Sequence, residues 1–294
     1  MEAGMKVILS RKGFDSEYGR VPSPILPDGR MVSLPIPDKH APASFDSIRR
    51  DGLAIADLVV DLGAKRGKPA KPMARTDLAH LDPDLDQAAV TRPPGWRPIF
   101  GQSGSALGHL TNEGVGVGDL FLFFGWFRPA EQVDGRWRFI RGSQSVHALW
   151  GWLLVGGMYR VDDTLPVDVR RWAAGHPHLH GPQPANNTVI VAADELVVAG
   201  HRLPGAGIFR HAPHRVLTAP DADRRGLWRM PAWMSPMDGH AYLSYHGDPA
   251  RWTPFDAATC RLNAAAKGQE FVLSTDRTDL LDPWLDEVFV DVAS

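Results

Sequence analysis

Disulfides are the first thing this sequence lacks. It holds one cysteine, Cys260, in 294 residues, which excludes intramolecular disulfides and zinc sites of the cysteine type. An excess of one charge is also missing. The net charge is −2, so no global field draws the chain to nucleic acid, and phosphate contact would need a local basic patch. Arginine far outnumbers lysine. Arginine is the better reader of phosphate and base edges, although a GC-rich genome produces the same bias. No apolar run reaches the roughly 18 residues of a membrane helix, and MEAGMKVILSRKG holds no apolar core long enough for a signal peptide. Repeats, low-complexity tails and linkers are absent too. These absences leave a cytoplasmic chain with no membrane partner, expected to form a single domain over residues 1–294.

The stretch 101–161 organises what is present. Asp119 to Phe127 is too apolar and aromatic for a surface strand, and His147 to Tyr159 is equally apolar. Between them Asp134-Gly135 marks a hairpin turn, followed by the alternating run Arg136, Trp137, Arg138, Phe139, Ile140, Arg141. Short apolar runs bounded by glycine read as strands. Three in sequence predict an α+β fold around a mostly antiparallel central sheet or small barrel, with Leu120 to Phe124 and Trp152 to Val155 as buried strands. Lys6 to Ser10, Thr188 to Ala192, Glu195 to Ala199, Ala241 to His246 and Gly268 to Leu273 are further strands. Ser47 to Gly63 has apolar residues at helical spacing. Val167 to Ala174 and Leu280 to Val288 read as short helices. Val21 to Pro37 holds too many prolines for a helix or a central strand.

Polar clusters beside these elements are the candidate sites. Arg11, Lys12, Asp15 and Ser16 follow the first strand, where two cations beside a carboxylate and a hydroxyl suit anion binding or a positioned acid. An ordinary turn capped by Asp15 or Ser16 accounts for the same residues. His80, Asp82 and Asp84 alternate, so on an extended segment they point one way, which suits a divalent metal or an acid/base pair. Asx turns around Pro83 are the plain alternative. His176, His178 and His180 alternate similarly and could bind metal with help from elsewhere. Gly101-Gln102-Ser103-Gly104-Ser105 lacks the Walker lysine, and reads as the start of a short helix, capped by Ser103 or Ser105 and carrying His109. The glycines at 114, 116 and 118 precede a strand instead of following one, so they are no dinucleotide fingerprint. Trp126, Trp150 and Trp152 could form an aromatic cage. The tyrosines and histidine of AYLSYH could stack a base or be core residues with wet ends.

The blocks SRKGFDS, PSPI with PDG and SLPIP, HLDPDL, GQSGSALGHL, GDLFLFFGWFR, HALWGWLLVGG, and LSYHG with GQEFVL together resemble the nucleotide modification associated domain 3 family, over nearly the whole chain. The resemblance implies a link to enzymes that hypermodify DNA bases in phages and bacteria. It implies as family-like polar residues Lys12, Asp15, Ser16, His80, Asp82, Asp84, Gln102, His109, His246, Gln269 and Glu270. GVGVGDLFLFFG with GWLLVGGMYRV is also similar to PUA and EVE barrels, which cage modified bases.

Three functions are compatible with these residues. The first is an enzyme or accessory factor of base hypermodification acting on a nucleotide or DNA base. In it Asp15, His80 or Asp82 acts as acid/base, Arg11 and Lys12 hold phosphate, and Ser16, Gln102, His109 and His246 complete the substrate site. The second is a modified-base reader without catalysis. The third is a metal-dependent oxygenase or hydrolase using His80, Asp82 and a distal histidine. A nucleotide or DNA is the expected partner, with pathway enzymes beside it, while no cofactor is specified by the residues. Asp15 and His80 are expected to converge. The Asp15→Asn variant should abolish turnover while the melting temperature stays close to wild type, because an amide keeps the shape of a turn cap but cannot take a proton. A melting curve and an activity assay check this, and unchanged activity would reduce Asp15 to a turn residue.

Overall fold

Apolar alternation sets the strand pairing. The computed structural model describes residues 4–266, 268 and 270–292. In chain order, the elements that build the site are β1 (Val7–Arg11), β2 (Ser23–Ile25), α1 (Ile55–Asp61), β3 (Leu78–His80), β4 (Ile99–Gln102), α2 (Gly104–Asn112), β5 (Leu120–Val133), β6 (Arg136–Phe139), β7 (Val146–Arg160), α3 (Val167–Trp172), β8 (Thr188–Ala192), β9 (Ala206–Ile208), β10 (Ala241–Leu243), β11 (Glu270–Thr275) and α4 (Thr278–Phe289). Ten strands share one sheet in the order β4-β8-β7-β5-β1-β11-β10, with β2 and β6 added to β5 and β9 to β7. Most pairs are antiparallel, while β1 and β2 run parallel to β5. The fold is α+β, as the pattern predicts, and Leu120 to Phe124 lies buried on β5.

Turn chemistry and a bulge shape the long β5–β7 unit. Asp134 and Gly135 both take positive φ, 51° and 76°, the backbone that a two-residue hairpin needs. The register slips between Phe123 and Phe124, so that Phe123 faces Gly151 and Phe124 faces Leu149. This bulge reverses the phase of β7. Trp150 therefore packs in one core with Ile8, Phe100, Phe121, Leu153, Ile190 and Val272, whereas Trp152 packs in the other with Leu9, Leu122, Phe209 and Phe289. The first of these cores draws on β1, β4, β5, β7, β8 and β11 together. Residues from both ends of the strand order meet there because the sheet curls around them. The second core is covered by α4 and by a three-stranded sheet made from Leu227–Pro231, Trp252–Pro254 and Thr259–Asn263.

Three expectations need correction. The sheet curls but is not a closed barrel, since no β4–β10 pairing completes it among the described residues. The helix over Ser47 to Gly63 is confined to α1. Its first half is a tight hairpin, Arg49–Arg50 with Leu53–Ala54, across Asp51 and Gly52 at φ 46° and 80°. An Asp-Gly turn outweighs apolar spacing in so short a segment. The strand expected over Ala241 to His246 stops at Leu243. No helix among the described residues is long and apolar enough to cross a membrane.

Two buried histidines tie the layers together. His147 accepts the Trp228 indole N–H on Nδ1 at 3.0 Å, and burial, reinforced by the charges of Arg225 and Arg11, pushes it down to about 3. His246 gives Nδ1–H to the Ser244 carbonyl at 2.8 Å and accepts Ala265 N–H on Nε2 at 2.9 Å. Burial pushes His246 down to about 4. Both rings are neutral in the fold, while an unfolded chain protonates them near 6.5. Their contribution to stability is therefore complete above that value and is lost as pH falls from there toward 4. Unfolding in urea at about pH 7.5 and about pH 5.5 should differ by at least about 3 kcal/mol, about 1.4 from each of these two rings. Equal stability at the two values would contradict neutral burial.

Candidate metal centre and polar cleft

The chain turns out of β1 into a polar corner. Lys12 N–H still bonds the Phe124 carbonyl at 2.8 Å, which keeps the start of the loop against β5. Gly13 (φ 87°) then turns the chain. Asp15 Oδ1 accepts Glu17 N–H at 2.7 Å and Tyr18 N–H at 2.6 Å, an Asx turn of its own. The other oxygen of Asp15 makes no bond to a described residue. Asp15 nevertheless lines a cavity of about 230 Å³ with Arg11, Lys12, His80, Asp82, Gln102 and His178. The two segments expected to converge thus meet at one cleft.

His80, Asp82 and His178 form its floor. One donor atom from each lies within 4.8 Å of the other two. The hydrogen bonds decide which atoms remain free. His80 Nδ1 pairs with Asp38 Oδ2 at 2.8 Å, and His178 Nδ1 with Asn187 Oδ1 at 2.5 Å. Both acceptors call for a proton on Nδ1, so both Nε2 atoms carry a free lone pair. Asp82 Oδ1 accepts Gly101 N–H at 2.7 Å and contacts His176 Nε2 at 3.2 Å. His176 Nδ1 accepts His178 N–H at 3.4 Å, which places the ring proton on Nε2, facing Asp82. Oδ2 of Asp82 stays open, 4.0 Å from His178 Nε2.

Electrostatics keep Asp82 and His178 in ligand form. Burial alone would raise the Asp82 carboxyl. The His176 hydrogen bond, with the fields of His178, His176 and Lys12, overcomes burial and holds it below the usual range. Burial pushes His178 down to about 4 against the pull of Asp82. An ionised carboxylate and neutral imidazole are what a divalent ion needs. Gly101 makes room for the arrangement, since a Cβ there would stand 2.2 Å from the His178 ring.

The other candidates fall in different places. Asp84 does not share the direction of His80 and Asp82. The strand ends at His80, and Asp84 turns away to hold Arg92 through two bonds of 2.5 and 2.6 Å. His180 bonds the Ala174 carbonyl and stays outside the cluster. His109, on α2, bonds Ser244 Oγ at 2.9 Å and packs against Tyr245 with the two rings tilted by 48°. It lines an adjoining hollow with Arg11, Gln102 and Glu270. His246 has both nitrogens engaged in the core. Ser16 is exposed and lines a third hollow with Arg11 and Trp126. The three tryptophans form no cage, because Trp150 and Trp152 are core residues on opposite faces of the sheet. Ser103 sits at the N-cap of α2, but its hydroxyl makes no cap bond, and Asn186 Oδ1 takes Gly104 N–H instead. Gln269 lies outside the described residues. Sequence reasoning missed Asp38 and Asn187, since neither carries a spacing signal.

Behind the cleft, Lys12 Nζ pairs with Glu270 Oε1 at 3.0 Å, their side chains 9% and 1% exposed. Gln102 Nε2 donates to the same oxygen at 2.5 Å.

An α+β domain with an open, curled sheet and a histidine–carboxylate cleft at its seam is the class of protein defined here. The chain belongs to the nucleotide modification associated domain 3 family, whose model matches residues 6–274. Neither the curated proteins nor the solved structures contain a match to it.

Lys12→Met should lower stability by about 3–5 kcal/mol, because it leaves the Glu270 carboxylate buried and unpaired. Adding Glu270→Gln should recover most of the loss. Urea unfolding of the two variants checks this, and no recovery in the double variant would mean that Lys12 acts through packing alone.

Proposed function

We propose that this protein is a metal-dependent enzyme of nucleotide modification, with His80, Asp82 and His178 as the ligands of one divalent transition ion. The observation that carries the proposal is the convergence of two free imidazole Nε2 atoms and one free carboxylate oxygen, each ligand side chain fixed by hydrogen bonds to other groups. Outer partners such as Asp38 and Asn187 orient ligating histidines and raise their basicity. Two histidines and a carboxylate on one side of an ion leave coordination positions open for substrate or water, the arrangement of non-haem iron oxygenases and of several zinc hydrolases. Ligand atoms on one ion stand about 3–3.5 Å apart, so the three side chains close slightly on binding.

The cleft supplies the remaining parts. Arg11 presents positive charge to a phosphate, while the Lys12 ammonium is committed to Glu270, and the uncommitted oxygen of Asp15 serves as acid or base. The family supports a nucleotide as the class of substrate. The finer choice between a free nucleotide and a base in DNA belongs to the assay. A modified-base reader is less favoured, since the expected tryptophan cage does not assemble.

Metal content is the test. Protein stripped with a chelator and reloaded anaerobically with iron(II), or with zinc, should retain about one ion per chain. His178→Ala should bind it at least about tenfold more weakly, and Asp38→Ala about 10–100-fold more weakly through its hold on His80. Equal retention by wild type and His178→Ala would overturn the assignment. Mass spectrometry of nucleotides incubated with each loaded form, the iron form being given dioxygen and a two-electron reductant, then separates oxygen insertion, expected with iron, from hydrolysis, expected with zinc.

A further inference from the structure

A second cavity, of about 640 Å³, shares Arg11 with the metal cleft. Its size suits one nucleotide, since ligand pockets run from about 300 to 1,000 Å³. Phe124, Trp126, His147 and Phe271 give it an aromatic wall, and Arg11 and Arg225 bring two guanidinium groups. Asp223 lines it as well.

Several donors there have no acceptor, or only backbone carbonyls, among the described residues. Arg225 lies over the Trp126 ring at 4.4 Å, and its side chain makes no hydrogen bond and no ion pair among the described residues. Arg11 donates to the Ala266 and Gly268 carbonyls, the latter at 3.0 Å, and meets no carboxylate at ion-pair distance among the described residues. Burial pulls Arg11 below the usual arginine value. Asp15 opposes that pull, and Arg225 adds to it. Two partly desolvated cations therefore repel each other here, and Asp15 is the carboxylate whose field reaches both, though neither pairs with it directly. The Trp126 indole N–H is buried and has no acceptor among the described residues. His147 uses Nδ1 to accept from Trp228, so its neutral ring carries the proton on Nε2, which also bonds no described residue. Leaving such donors unsatisfied costs free energy unless a ligand answers them.

We infer that this cavity binds one nucleotide unit, its phosphate received by Arg11 and Arg225 and its base by the aromatic wall. A phosphate supplies the acceptor oxygens and the negative charge that the donors lack. A planar base matches aromatic faces whatever its identity. The inference does not rest on the metal, because none of the donors belongs to the His80, Asp82, His178 cluster. Through Arg11 the bound unit adjoins the metal cleft. It is either a free nucleotide or the neighbour of the reacting nucleotide in a strand.

Binding to chelator-treated protein tests this, followed by titration calorimetry and tryptophan fluorescence. The probes are deoxynucleoside 5′-monophosphates, the same nucleosides without phosphate, inorganic phosphate as competitor, and a short single-stranded deoxyoligonucleotide. At least one phosphate-bearing nucleotide probe should bind, with the nucleoside weaker by about tenfold or more, and phosphate should compete. Arg225→Gln should weaken binding by about tenfold or more with little change in melting temperature, because its side chain makes no hydrogen bond among the described residues and only lies over the Trp126 ring. Trp126→Phe should weaken it a few-fold through the lost N–H. An oligonucleotide much tighter than the mononucleotide identifies a strand as the source, and equal or better mononucleotide binding identifies a free nucleotide. The inference is overturned if neither nucleotide probe binds, if nucleosides bind as well as nucleotides, or if Arg225→Gln binds like wild type. Because no metal is present in these titrations, failure of the metal assignment leaves their result intact.

Discussion

The bond from Lys12 to Glu270, shared with Gln102, is the contact on which the arrangement depends. Glu270 begins β11 and Lys12 follows β1, its direct neighbour. Gln102 ends β4, which four intervening strands separate from β11 in the sheet order. A flat sheet would hold those ends far apart. The side-chain bridge exists only because the sheet curls around the core of Ile8, Phe100, Phe121 and Val272. Among the described residues no strand pairing closes this curl, and polar side chains span the seam in its place. A buried ammonium and carboxylate are costly when separated, so the pair also resists any opening of the seam. The Lys12 ammonium lies 4.3 Å from the centre of the Phe100 ring, which adds a second tie to β4.

The seam is where chemistry can be placed. Elsewhere each face of the sheet is covered by apolar side chains, and a polar group there needs a partner within the fold. His246 follows that rule, with both ring nitrogens engaged by fixed partners. At the seam the rule relaxes. His80 and His178 each engage one nitrogen and leave the other free, and Asp82 engages one oxygen and leaves the other free. Arg11 stands between this cluster and the arginine–tryptophan cavity, lining both. A cation held by backbone carbonyls, with no carboxylate partner among the described residues, retains its charge for an external anion.

Much of the fold was legible because its signals are local. The apolar strands, the Asp134-Gly135 turn and the short helices are written in residues a few positions apart, and the blocks that resemble the family span most of the chain. The misreadings came where two local signals competed. Asp51-Gly52 broke a helical pattern, and the end of β3 after His80 parted Asp84 from its neighbours.

The sequence by itself determined the strands, the polar segments beside them and the family, since each depends on side-chain spacing or on contiguous residues. It also placed His-x-Asp and His-x-His within the chain, but not together. Only the tertiary structure decided that His178, and not His176 or His180, joins His80 and Asp82, and that Asp38 and Asn187 orient the two rings. His176 meets Asp82 across 94 residues of sequence. Such a meeting follows from the summed curl of many strand pairings and from the space that Gly101 leaves for an imidazole, and no single segment encodes it.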